Sequence, residues 1–113
     1  MTNLEKLQLE FNNKPYLSDV HFSALLQENN LDAEIEYDYT KDKLLMLCCV
    51  RDVLEIFSND IDSYRKISTE FSTIEQATQG LQYRLKAIER KIRELSLKEN
   101  QATNSQFSVL YHT

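Results

Sequence analysis

Glycine and proline occur once each, as Gly80 and Pro15, and tryptophan is missing. A phosphate-cradling loop needs several glycines so that backbone N–H groups can approach the ligand; one glycine permits neither a P-loop nor a dinucleotide fingerprint. Scarcity of both turn-formers also favours long helices over a turn-rich β-fold. The longest unbroken apolar run, Leu44 to Val50, is far shorter than the roughly 20 residues of a membrane span, so no membrane contact is expected. The two cysteines, Cys48 and Cys49, are neighbours. Adjacent side chains on a helix point about 100° apart, which argues against a disulfide between them. The opening "MTNLEKLQLEF" lacks a basic start followed by an apolar run, and a reduced, intracellular setting without a signal peptide is expected.

Histidine is equally scarce: His21 and His112 share no spacing with the cysteines of the kind that builds a zinc site. Alternating acids at 32, 34, 36 and 38 suggest a calcium loop. Counted from Asp32, however, the required glycine is Tyr37 and the required glutamate is Lys43. No His, Cys or carboxylate constellation for nucleophilic or acid–base chemistry can be assembled from these spacings. The expectation is therefore no enzyme: no catalytic residues, no metal and no cofactor.

What is present points to assembly. At 113 residues, 42% apolar and 27% charged, the chain is one small, mainly α domain. Its net charge of -5 conceals an imbalance, with thirteen acids against five bases in residues 1–62 and five acids against eight bases in residues 63–113. Such halves suit head-to-tail contacts between copies.

Hydrophobic spacing and capping predict a bundle of about four helices. Thr2 and Glu5 form a capping box for a helix over residues 3–12 that ends in Asn12-Asn13. Ser18 caps a second, to about Glu28, with Leu17 and Phe22 as a hydrophobic staple and Val20, Leu25 and Leu26 on its buried side. An extended acidic connection follows, with Ile35, Tyr37 and Tyr39 on one side. Thr40 caps a third helix, apolar on every side over residues 44–50 and so the buried centre of the fold, with the cysteines as small core side chains. Alternation at Ile67, Thr69 and Phe71 reads as a short extended link.

A long last helix then starts behind a Ser72/Glu75 capping box. Ile74, Leu81, Ile88 and Leu95 stand seven apart, with Thr78, Leu85 and Ile92 between them, forming a heptad seam for packing against another helix. Gly80, in mid-helix, costs about 1 kcal/mol relative to alanine and marks a bend or a close approach. Six bases, Arg84, Lys86, Arg90, Lys91, Arg93 and Lys98, share this helix with Glu89, Glu94 and Glu99. That mixture reads as a salted helix surface rather than a DNA-reading one. Residues 1–98 form the helical domain; 99–113 read as a flexible linker and an extended C-terminal arm in which Phe107, Val109 and Tyr111 share one side.

The order "YLSDVHFSALLQENNLD", acidic connection, "KDKLLMLCCVRDVLEIFSN", "ISTEFS" and "LQYRLKAIERKIREL" resembles the small helical head-to-tail connector (adaptor or head-completion) proteins of tailed bacteriophages, over about residues 16–98. The chain departs from them in a longer first segment and an unusually regular last helix. The resemblance implies a structural virion protein, made in the host cytoplasm and located at the neck. There it would form a homo-oligomeric ring of twelve copies on the portal protein, touching other neck or tail proteins and, non-specifically, the DNA in the channel. On that basis Ile74, Leu81, Leu85, Ile88, Ile92, Leu95, Phe107, Val109 and Tyr111 are the expected subunit or partner contacts. The alternative is a cytosolic helical adaptor or regulator that binds a partner through the heptad face of residues 74–98.

Overall fold

A computed structural model describes the backbone of residues 1–111 and the side chains of residues 1–100. Five helices follow in order: α1 (Asn3–Leu9), α2 (Asp19–Glu28), α3 (Tyr39–Asn59), α4 (Ile61–Ser68) and α5 (Ile74–Tyr111). The chain is mainly α, as expected, with a long final helix. Among the described residues no helix is long and apolar enough to cross a membrane.

Local chemistry sets most boundaries. Thr2 and Glu5 exchange both capping-box bonds, Glu5 N–H to Thr2 Oγ1 at 3.2 Å and Thr2 N–H to Glu5 Oε1 at 2.9 Å. Asn12 and Asn13 leave α1 in left-handed conformations, with φ of 57° for both; asparagine tolerates that region better than most residues. Ser18 Oγ accepts the His21 N–H at 3.1 Å to start α2, and Asn30 leaves it with φ 62°. At α3 the cap is Asp38, one step before the helix. Thr40, the expected cap, instead donates its N–H and its hydroxyl to the Asp38 carboxylate.

The expected extended link between the last two long helices is corrected to α4. Asp60 both ends α3 and caps α4, its carboxylate accepting the Ser63 N–H. Asp62 pairs with Arg65 and Lys66 at 2.9 Å each, three and four residues on, where a helix brings charges together. The alternation at Ile67, Thr69 and Phe71 spans the helix end, where Thr69 turns left-handed at φ 59°.

Two smaller corrections concern exposure. Val20 is 81% exposed, because α2 buries only Phe22, Leu25 and Leu26. In the connection Tyr37 is half-buried while Ile35 and Tyr39 face solvent. That segment is held by its backbone instead, through a bridge between Thr2 and Glu36, Asn3 N–H to Ile35 O at 2.8 Å, and the buried Asn3 amide donating to Asp32 O.

The core lies where α3 meets α1, α2, α4 and α5. Phe22, Phe11, Phe57, Tyr64 and Phe71 form a chain of rings with centroids 6.4, 5.5, 5.0 and 5.9 Å apart, and Tyr16 stands 4.6 Å from Phe57. Such pairs add about 0.5–1.5 kcal/mol each beyond their buried area. The chain ends on Gly80, where a Cβ would lie 2.6 Å from Phe71 Cζ. Glycine thus permits the close approach expected of it. Cys49 is buried beneath α2, its thiol pushed up to about 12 by burial, and Cys48 is half-buried with its pKa also raised by burial. Both are far from the electropositive, exposed setting of a reactive thiol.

Candidate interaction surface

α5 carries most of the residues expected to make contacts, and the fold divides them. Leu81, Leu85 and Ile88 are buried in the chain's own core, with Ile92 half-buried against it. The seam in this stretch is closed from within by α3 and α4, so these residues face the chain's own helices rather than a second molecule. The buried line also departs from the strict seven-residue repeat. Ala77 is fully buried, whereas Ile74 is 51% exposed and Thr78 returns its hydroxyl to Ile74 O at 2.9 Å. The departure is confined to the first turn, where Ala77 takes the place of Ile74 and Thr78; Leu81, Leu85 and Ile88, with half-buried Ile92 and Leu95, keep the expected positions. The helix is capped one residue later than the Ser72/Glu75 box, by Thr73, whose Oγ1 accepts the Gln76 N–H at 3.1 Å.

Two cations of the sequence are structural ties. Arg84 reaches across to the end of α1, donating to Glu10 O at 2.6 Å with its guanidinium 4.7 Å from the Phe11 ring centroid. Lys14 donates to Ser68 O at the end of α4. Each donates to a carbonyl at a helix end, Ser68 O accepting the Thr69 hydroxyl as well, and sets a positive charge against the negative end of the helix dipole. Sequence spacing gives no sign of either tie, since the partners lie 74 and 54 residues apart.

Beyond Ile92 the surroundings of α5 change. Leu95 is half-buried at the floor of a cleft of about 340 Å³ between α1, α3 and α5, together with Met46, Leu47 and Val50. Lysines 6, 43, 91 and 98 stand around it with Glu10 and Glu94. Lys6 is engaged, bonded to Glu10 at 2.8 Å and 5.5 Å from the Tyr37 ring, and its pKa is raised chiefly by the bond to Glu10. From Leu97 to Asn100 every residue is exposed. The helix nevertheless continues to Tyr111, so the linker and extended arm expected over residues 99–113 are replaced by helix that far. The absence of glycine and proline there leaves nothing to stop a helix. The side chains of Phe107, Val109 and Tyr111 lie outside the described residues.

The outer face of α5, opposite its core line, presents Tyr83 at 80% exposure, then Lys86, Arg90 and Arg93 with Glu94 beside them, all exposed, and Leu97 at 59%. None of these three cations is in an ion pair among the described residues. The acidic connection and α2 make the opposite kind of surface. Asp19, Glu28, Asp32, Glu34, Glu36 and Asp38 are all exposed, and residues 15–40 contain no lysine or arginine. Asp38 is held below its ordinary pKa chiefly by the Thr40 hydroxyl, so it carries full charge at neutral pH. Among the described residues no three His, Cys, Asp or Glu side chains are placed to share a metal ion. The arrangement offers two charged surfaces with exposed apolar residues, suited to macromolecular contact. Compared with known proteins, the chain matches no family model, no curated protein and no solved structure.

Proposed function

We propose that this chain is a structural assembly subunit, and that its setting is the head-to-tail connector of a tailed bacteriophage. It would then act as one copy of a neck ring that attaches to the portal vertex and joins capsid to tail while DNA passes. The supporting observation is the length of α5 relative to its own bundle. Its last core residue is Ile92, Leu97 to Asn100 are exposed, and the helix runs on to Tyr111. At 1.5 Å per residue, the helix beyond Leu97 extends about 20 Å. Helix that runs on past side chains already exposed at Leu97 to Asn100 is suited to reach a neighbouring subunit.

An adaptor offering the heptad face of residues 74–98 to a partner is less well supported. Leu81, Leu85 and Ile88 would have to leave the core to make that contact, at a cost of about 2–5 kcal/mol for each large side chain unpacked.

The test is light scattering on the full chain over a range of concentrations, alone and with a portal ring, followed by electron microscopy of the products. Rings, or comigration with the portal, are expected. A strict monomer under both conditions would count decisively against the reading.

A further inference from the structure

The acidic surface of α2 and its following connection, and the basic outer face of α5, lie on different flanks. α2 packs on α1 and α3, α5 packs on α3 and α4, and α2 and α5 do not meet. Within one copy no ion pair joins the two among the described residues. Each also carries apolar residues that a monomer leaves in water. Val20 (81%), Ile35 (59%) and Tyr39 (71%) sit among the acids, and Tyr83 (80%) and Leu97 (59%) lie along the cations. Apolar residues rimmed by charge are the composition of a contact surface.

We infer that the outer face of α5, centred on Lys86, Arg90 and Arg93, docks the acidic α2 flank of a second copy of this chain. This inference rests on the assembly reading and names its contact. Charge complementarity selects the occupant. The α2 flank brings six exposed carboxylates, of which Glu36 is paired with the N-terminal ammonium at 2.9 Å, and no Lys or Arg from residue 15 to residue 40. Tyr83 and Leu97 are 14 residues apart in one helix, about 20 Å at 1.5 Å per residue, long enough to lie along a ten-residue helix such as α2. Because the paired surfaces differ and occupy separate flanks, the contact is heterologous: every copy added presents another free face of each kind. Such contacts close into a ring when the rotation permits and otherwise grow into filaments.

The experiment is sedimentation velocity on the full chain and on two charge-reversed variants. One is Lys86→Glu/Arg90→Glu/Arg93→Glu; the other is Glu28→Lys/Asp32→Lys/Glu34→Lys/Glu36→Lys, which turns the six carboxylates of the flank into four lysines against two acids. Far-UV circular dichroism confirms that both keep the wild-type helical signal. Wild type is expected to form species larger than a dimer that weaken with added salt. Each variant alone should associate at least about tenfold more weakly. An equimolar mixture should recover association, because one variant then has two acidic flanks and the other two basic flanks. Wild-type association that neither reversal alters overturns the inference and leaves the assembly reading standing. Loss in both variants without recovery in the mixture also overturns it. So does a wild-type chain that stays monomeric, or an α5 face that binds duplex DNA at physiological salt while the chain does not self-associate; portal binding then decides the connector reading separately.

Discussion

The two ends of α5 share one helix but differ in what holds them. From Ala77 to Ile88 the helix is fixed by a closed core, by Phe71 lying on Gly80, and by Arg84 tied to the end of α1. After Ile92 the described residues offer less: Leu95 is half-buried over a cleft, and Leu97 to Asn100 are exposed. Apolar residues continue at helical spacing through both. The difference teaches that a heptad pattern records where a helix can pack, while the lengths of the neighbouring helices decide where it does. Local stability should follow, with the first half opening only on global unfolding and the second half fraying at much lower cost.

The largest expected contrast is between Leu81→Ala and Leu97→Ala. The first removes a fully buried side chain and should cost about 2–5 kcal/mol in urea unfolding. The second, at 59% exposure, should stay within about 0.5 kcal/mol; equal losses would mean that the halves are not distinct. Next, Arg84→Met should cost about 2 kcal/mol, since it leaves Glu10 O without its charged donor. Lys86→Met on the outer face should be near neutral by the same assay.

Smaller still is Gly80→Ala. Helix propensity alone would gain about 1 kcal/mol, but the new methyl collides with the Phe71 ring; overpacking of about 1–3 kcal/mol should make the net change a loss. In a Phe71→Ala background the same substitution should turn stabilising, and a double-mutant cycle reads the reversal directly. The smallest effect is in acid. Glu5 is held below its ordinary value by the Thr2 N–H, Asp38 by the Thr40 hydroxyl and Asp62 by Lys66. Groups with lowered folded pKa values contribute stability that is present above the ordinary carboxylate range. It is lost as pH falls through their lowered values. Melting temperature should therefore decline across that window, and less steeply in Thr40→Val; an unchanged slope would show that the Asp38 cap contributes nothing.

The first two helix caps and the central place of α3 are legible because they rest on residues near one another in sequence: Thr2 with Glu5, Ser18 with His21, and the apolar run of α3. α4 is hidden in the sequence because the two-residue alternation at Ile67, Thr69 and Phe71 overlies the helical signal of Asp60, Asp62, Arg65 and Lys66. Those four put acids at a helix start and bases near its end. The candidate surface was only half legible. Charge imbalance appears in a residue count, but the assignment of Arg84 and Lys14 to helix ends depends on partners far along the chain. Which heptad residues the core would occupy depended likewise on where α3 and α4 lie.

The ring chain from Phe22 to Phe71 also gives the protein a private optical signal. With no tryptophan, near-ultraviolet dichroism must come largely from tyrosine and phenylalanine. Among the described residues Tyr16 and Tyr64 are held among other rings, whereas Tyr39 and Tyr83 are exposed. That band reports whether the core is assembled, while the far-ultraviolet band is weighted toward the 38 residues of α5. Monitored together during unfolding, the two bands distinguish fraying of the long helix from collapse of the domain that carries it.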